Sequence, residues 1–139
     1  MRYRVNAPNR RVVTSFLRSS GKILLLHRSE AVGTHRGRWA GVSGYIEGGE
    51  EPHERALIEI AEETGLSPGE VKLVKAGEPL PINNSEGSWL VHPFLFDISD
   101  RHKIRLDWEH TEYRWVDPEE IVHHETVPGL SKALLSLID

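Results

Sequence analysis

The chain has 139 residues, 38% apolar and 27% charged, no cysteine, and a net charge of −4. That size and balance fit one soluble domain, residues 1–139, and the missing cysteines exclude disulfides, thiol catalysis and cysteine-based zinc sites. The longest aliphatic run, Ile23 to Leu26, is too short for a bilayer, and the basic amino terminus has no apolar segment behind it. Neither a membrane span nor a signal peptide is expected, and the expected location is cytoplasmic.

Charge is distributed unevenly. Residues 1–38 carry nine Lys/Arg and one acidic residue, a balance of +8, while residues 39–139 carry eight basic and twenty acidic residues, a balance of −12. A basic segment of this kind can steer a phosphorylated ligand. No nucleic-acid-binding motif accompanies it, so polymeric nucleic acid is not an expected partner.

In chain order, residues 11–18 and 22–28 read as strands joined by a turn at Ser19-Ser20-Gly21. The second is continuously apolar, as in a strand buried on both faces. Residues 29–38 form a polar loop, and Trp39 to Gly44 lead into a glycine-rich turn. A helix follows, with Pro52 in its first turn and a stop at Thr64-Gly65, where glycine accepts the left-handed cap conformation. Val71 to Lys75 alternates as a strand, Asn83 to Gly87 is a turn, and Ser88 to Ile98 is a long strand. Lys103 to Leu106 reads as a short strand, Trp108 to Thr111 as loop, and Glu112 to Val116 as a strand. Asp117 caps a short helix with Pro118 at its first position, and Leu130 to Leu137 is an amphipathic helix. Strands interleaved with a few helices indicate an α/β fold with a mixed sheet between helices.

The helix from Pro52 has an apolar side of Ala56, Leu57, Ile60 and Ala61. Glu59, Glu62 and Glu63, at i, i+3 and i+4, converge on another. Three carboxylates there repel one another by roughly 0.2–0.5 kcal/mol per pair. Such clusters are usually solvated faces, but a hard divalent cation would also compensate them, since Mg²⁺ takes a few carboxylates with waters and phosphate oxygens.

The lead-in adds to this. Gly44, Glu50, Glu59, Ile60, Glu62, Glu63, Gly65 and Leu66 stand in register with the Nudix box: Gly, five residues, Glu, seven residues, Arg-Glu, an aliphatic, any residue, Glu-Glu, any residue, Gly, an aliphatic. Eight of nine defined positions agree; the pattern's arginine is Ile58. The upstream order, an aliphatic strand ending in Arg28-Ser29, a basic loop, then Trp39, also resembles Nudix proteins. The resemblance implies an α/β/α sandwich. It also implies metal-dependent hydrolysis of a diphosphate bond in a small nucleoside diphosphate derivative, through attack of water at phosphorus. The family is often dimeric, which implies a homodimer.

By the same resemblance Glu59, Glu62, Glu63 and the Gly44 carbonyl are metal ligands for Mg²⁺, with Mn²⁺ as substitute, and Glu50 braces the loop against the helix. In the family the box arginine helps hold the carboxylates by salt bridges. Arg55, one turn before Glu59, can supply part of that charge; otherwise it is a surface residue and Ile58 a core residue. Glu109, six residues before Trp115, is the first candidate for general base, with Glu112, Glu62 or Glu63 as alternatives. Arg28, Arg36 and Arg38 are candidates for phosphate contact, and Trp39 for stacking on a base or closing the core. Trp89 and Trp115 are expected in the core. His123-His124 is expected to be a solvated helix end, and the remaining histidines are scattered. Pro81, fifteen residues past the box, points to ADP-ribose; a nucleoside triphosphate stands beside it. A second reading is a nucleotide-binding or sensor module with weak or no turnover, which Ile58 favours.

Overall fold

The computed structural model describes residues 10–85 and 87–138. Residues 1–9, read above for a targeting signal, and Glu86 of the expected 83–87 turn lie outside them. Among the described residues no helix is long and apolar enough to cross a membrane.

Strands β1 (Arg11–Ser19) and β2 (Lys22–Arg28) form the expected hairpin. Ser20 and Gly21 both have positive φ, 52° and 77°, the conformation a two-residue hairpin turn requires. Short strands β3 (Trp39–Ala40) and β4 (Val42–Tyr45) follow the loop; β3 pairs with β2 and β4 with β1. Helix α1 spans Pro52–Thr64. Beyond it come β5 (Val71–Ala76), β6 (Leu80–Asn84), β7 (Gly87–Ile98) and β8 (His110–Val116), then helix α2 (Leu130–Leu135). Strand β1 runs parallel to β7, and the other pairings are antiparallel, so the sheet is mixed.

Both faces of the sheet are covered. Leu24 and Leu26 of β2 pack with Ala56, Ile60, Phe94 and Phe96 on the α1 side. Ile23 and Leu25 pack with Phe16, Leu95, Leu130 and Leu134 on the α2 side. This division explains why β2 is a continuous apolar run: each neighbour feeds a different core, and Ile23 to Leu26 are at most 1% exposed. The architecture is the α/β sandwich expected from the sequence.

Some boundaries differ. Lys103 to Leu106 form no strand; a 3₁₀ turn at Arg101–Lys103 leads into irregular chain. Ile104 is buried, and the Arg105 amide donates to the Thr64 carbonyl at 2.8 Å. The alternation of Ile104 and Leu106 therefore serves the end of α1 and not a sheet ladder. Asn83 and Asn84, expected in a turn, pair with Ser88 and Gly87 as part of β6. Strand β8 starts at His110, two residues before the expected Glu112. The segment after Asp117 is a 3₁₀ helix, Pro118–His123, and α2 stops at Leu135, although Leu137 still packs in the core.

Candidate active site

The site begins where β4 meets α1. At Gly44 an added Cβ would lie 2.1 Å from Glu59 Cδ, so only glycine lets this carboxylate sit against the strand. Helix α1 starts with a capping box between Glu51 and Glu54 and ends at Gly65, whose φ of 78° is the left-handed cap. Between these ends Arg55 is buried at 8% exposure and Ile58 is exposed at 40%. Arg55 Nε and Nη2 donate to the two Glu50 oxygens at 2.9 and 2.5 Å, and Nη1 donates to Glu59 Oε2 at 2.9 Å. Glu50 Oε1 also accepts from the Glu47 amide at 2.8 Å. One guanidinium thus ties the glycine-rich loop to the helix. The hydrogen bonds from Arg55 hold the Glu50 carboxyl below its usual range, and Glu50 in turn raises the Arg55 pKa. The charge absent at Ile58 enters from one turn earlier.

Glu63 lies behind this pair. It is 2% exposed and accepts from the Ser43 amide at 3.4 Å. Burial pushes its carboxyl well above the ordinary range, and a hydrogen bond with Glu59 adds to that push. Glu59 is raised as well, chiefly by burial, with hydrogen bonds to Glu63 and Arg55 working against it. His110, also buried, approaches Glu63 Oε1 with Nε2 at 3.8 Å and bonds Asp107 Oδ1 through Nδ1 at 2.9 Å. Burial pulls its pKa down, with the Asp107 hydrogen bond working against it.

A cleft of about 560 Å³ opens beside these groups. Gly44, Glu47, Glu59, Glu62, Asp107 and Glu109 line it, together with Tyr45, Ile82, Trp89 and Val91. Trp108, 69% exposed, stands at its rim beside Glu109. Five carboxylates face this space with Arg28 as the lining arginine. Its guanidinium donates through Nε and Nη2 to the Thr34 carbonyl at 3.0 and 2.8 Å.

The structure therefore brings Gly44, Glu59, Glu62, Glu109 and Arg28 to one cleft, with Glu63, Glu50 and Arg55 behind them. Arg36 and Arg38 line a separate shallow hollow, donating to the carbonyls of Val32 and Thr126 at 2.8 and 3.2 Å. Trp39 does not line the cleft. Pairing of β3 with β2 turns its ring into the α2-side core, against His27, under the Arg114 guanidinium. Glu112 is exposed on β8. Trp89 is buried as expected for a core residue, yet it also lines the cleft. Pro81 pairs with Leu90 in β6 and does not line the cleft. Asp107 and His110 went unnoticed in the sequence; the signal for them was Asp107-Trp-Glu-His110, a polar turn opening a strand.

The donors available are hard oxygens, the kind Mg²⁺ and Mn²⁺ take. Among the described residues no three acidic or histidine side chains already converge on one point. Instead Glu59 and Glu63 hold carboxyl groups largely withdrawn from water, at 13% and 2% side-chain exposure, whose charge a divalent cation would offset. On that observation the donor set fits such an ion.

The chain matches the NUDIX domain family over residues 8–137. It is 24% identical over 132 residues to the nucleoside triphosphatase NudI of Escherichia coli O139:H28, covering 90% of this chain and 94% of that protein. It also resembles the crystal structure of a MutT protein from Methanosarcina mazei Go1, with 30% identity and a TM-score of 0.69 over 88% of this chain and 87% of that one. An Ap4A hydrolase from C. elegans, in a binary complex, superposes with a TM-score of 0.74 at 17% identity, over 91% of this chain and 93% of that one.

Proposed function

The chain belongs to the Nudix family of hydrolases, and we propose that it cleaves the diphosphate bond of a small nucleotide, with a nucleoside triphosphate as first candidate. The reading is carried by one observation. A single cleft is lined both by acidic residues, Glu59, Glu62 and Glu109, and by apolar and aromatic ones, Tyr45, Trp89 and Val91. A phosphorylated group with a planar base has that same division, and aromatic side chains suit the base.

Five lining carboxylates against one arginine would repel a polyphosphate arriving alone. A divalent cation held by Glu59, Glu62, Glu63 and the Gly44 carbonyl would neutralise the phosphates and acidify a water. Arg55 keeps Glu59 and Glu50 in place. Glu109, which lines the same cleft and makes no ion pair with another described residue, takes the proton of the attacking water. Glu63 stays behind Glu59, where burial limits its access to solvent. The likeness to a nucleoside triphosphatase supports that substrate over ADP-ribose, and so does the position of Pro81 away from the cleft. Ile58 is the motive for a binding module without turnover, and the bonds from Arg55 to Glu50 and Glu59 weigh against it.

The test is phosphate release from a panel of nucleoside triphosphates, ADP-ribose, dinucleoside polyphosphates and nucleotide sugars, with Mg²⁺ or Mn²⁺, against a Glu62→Gln control. Turnover of one class, lost in the variant, supports the hydrolase. Nucleotide binding with no turnover of any member selects the binding module instead.

A further inference from the structure

Three consecutive residues, Asp107, Trp108 and Glu109, line the cleft. A regular strand would send neighbours to opposite faces. Here the His110 amide donates to the Asp107 carbonyl at 3.3 Å and closes a turn over 107–110, and the Ser29 amide donates to the Glu109 carbonyl at 2.8 Å. The β2–β8 register shifts between His27 and Arg28, where this turn joins the sheet. Backbone bonds therefore fix the turn, and they present its indole at the cleft between two carboxylates.

The aromatic side chains of the cleft differ in what they have left to offer a ligand. Trp89 is 6% exposed. The Arg10 guanidinium lies over its ring, 5.1 Å from the centroid, and the His35 ring packs against it at 5.4 Å. Its Nε1 donates to the Tyr45 hydroxyl at 3.4 Å. Trp89 is thus a wall of the cleft whose ring is already in use. Trp108 is the reverse. It is 69% exposed, and among the described residues no hydrogen bond or ring contact holds its side chain. Single exposed apolar residues are common on protein surfaces. This one is set apart by its place, at the rim of a cleft lined by both carboxylates and apolar side chains.

We propose that Trp108 is the residue on which the nucleobase stacks, and that it favours ligands carrying a base over bare polyphosphates. The proposal rests on the reading of the cleft as a nucleotide site. Stacking asks only for a flat π-face, which every base has, so Trp108 gives affinity for nucleotides as a class. Purines stand ahead of pyrimidines by their larger ring area. Trp89 and Tyr45 bound the space, and the free aromatic face comes from the turn that also carries Glu109.

The test measures binding by the full chain with Mg²⁺ and ligands that resist hydrolysis. These are methylene-bridged analogues of adenosine and uridine triphosphate, and methylenediphosphonate, which has phosphorus groups and no base. Trp108→Ala should bind the adenosine analogue about 10–30-fold more weakly and the uridine analogue about 3–10-fold more weakly. Its affinity for methylenediphosphonate should stay within about twofold, and its melting temperature within a few degrees, because the side chain is exposed. Trp108→Phe keeps an aromatic face and should recover most of the loss. Equal affinity of Trp108→Ala and wild type for the adenosine analogue overturns the proposal. So does an equal loss for all three ligands, which would mean that the turn had moved and Glu109 with it. A wild-type chain that binds the analogues but hydrolyses no nucleotide overturns the hydrolase reading alone, and the affinities still decide the role of Trp108. A wild-type chain that binds methylenediphosphonate as tightly as the adenosine analogue overturns the nucleotide reading and the proposal together.

Discussion

Arginines are used in two ways in this molecule. Arg55 is buried in α1 and directs its guanidinium at the carboxylates of Glu50 and Glu59. Arg28, Arg36 and Arg38 direct theirs at main-chain carbonyls of Thr34, Val32 and Thr126. The first arrangement lowers the charge of an acidic site and orients it; the second ties down the 29–38 loop, within itself through Arg28 and Arg36 and to Thr126 through Arg38. The difference teaches that a surplus of positive charge in the sequence does not by itself make a phosphate site. Arg28 and Arg36 direct part of their hydrogen-bonding capacity at the loop itself, and five carboxylates line the cleft beside Arg28.

Substitutions sharpen this contrast in order of effect. Glu62→Gln attacks the acidic side directly. Its kcat should drop by at least about 100-fold with an unchanged melting temperature, because the residue is exposed at the cleft. Arg55→Ala leaves two half-buried carboxylates unpaired and should cost about 3 kcal/mol in urea unfolding. Ile58→Arg, at an exposed position, should change stability by less than about 0.5 kcal/mol. A cost for Arg55→Ala as small as that would erase the distinction drawn above. Mn²⁺ affinity should rise with pH. Burial raises the Glu63 and Glu59 carboxyls above their ordinary range, so protons compete with the cation and lower pH works against binding. Titrations at pH 5, 6.5 and 8 that gave equal affinities would contradict those raised carboxyls. Arg36→Ala removes one loop hydrogen bond, and about 1 kcal/mol of stability with kcat intact is expected. The smallest effect lies far from the cleft. Lys103 and the Ser67 backbone pull the Glu70 pKa down from 4.5 to about 2. The pKa is lower in the folded chain, so this contribution is complete above 4.5 and fades as pH falls towards 2. Glu70→Gln should flatten the acid limb of unfolding slightly over that window.

The parts legible in the sequence are those whose physics is local. The β1–β2 hairpin was announced by Ser20-Gly21, and the ends of α1 by Pro52 and Gly65, because backbone dihedrals at those residues depend on the residue type itself. The box glutamates were legible from spacing on one helix. Trp39 was not, since its direction follows from β3 pairing with β2, a contact between segments far apart in choice of register. The same holds for residues 104–106, whose alternation suits a strand but whose hydrogen bond goes to the end of α1. His110 escaped notice because its burial near Glu63, forty-seven positions earlier in the numbering, is a matter of the fold. Arg55 was legible as a candidate by its four-residue spacing from Glu59, while the bond to Glu50 depends on how the glycine-rich loop folds back.

Arg55 also bears on how such a chain is reached by stepwise substitution. A protein with arginine at neither 55 nor 58 leaves Glu50 and Glu59 without a counter-charge, and by the estimate above it loses a sizeable share of a typical domain's stability. Stepwise substitution keeps that counter-charge throughout only where arginine stands at 55 before it leaves 58. A pattern that demands arginine at one fixed letter passes over this chain, while one that demands a guanidinium between the loop glutamate and the first helix glutamate admits it.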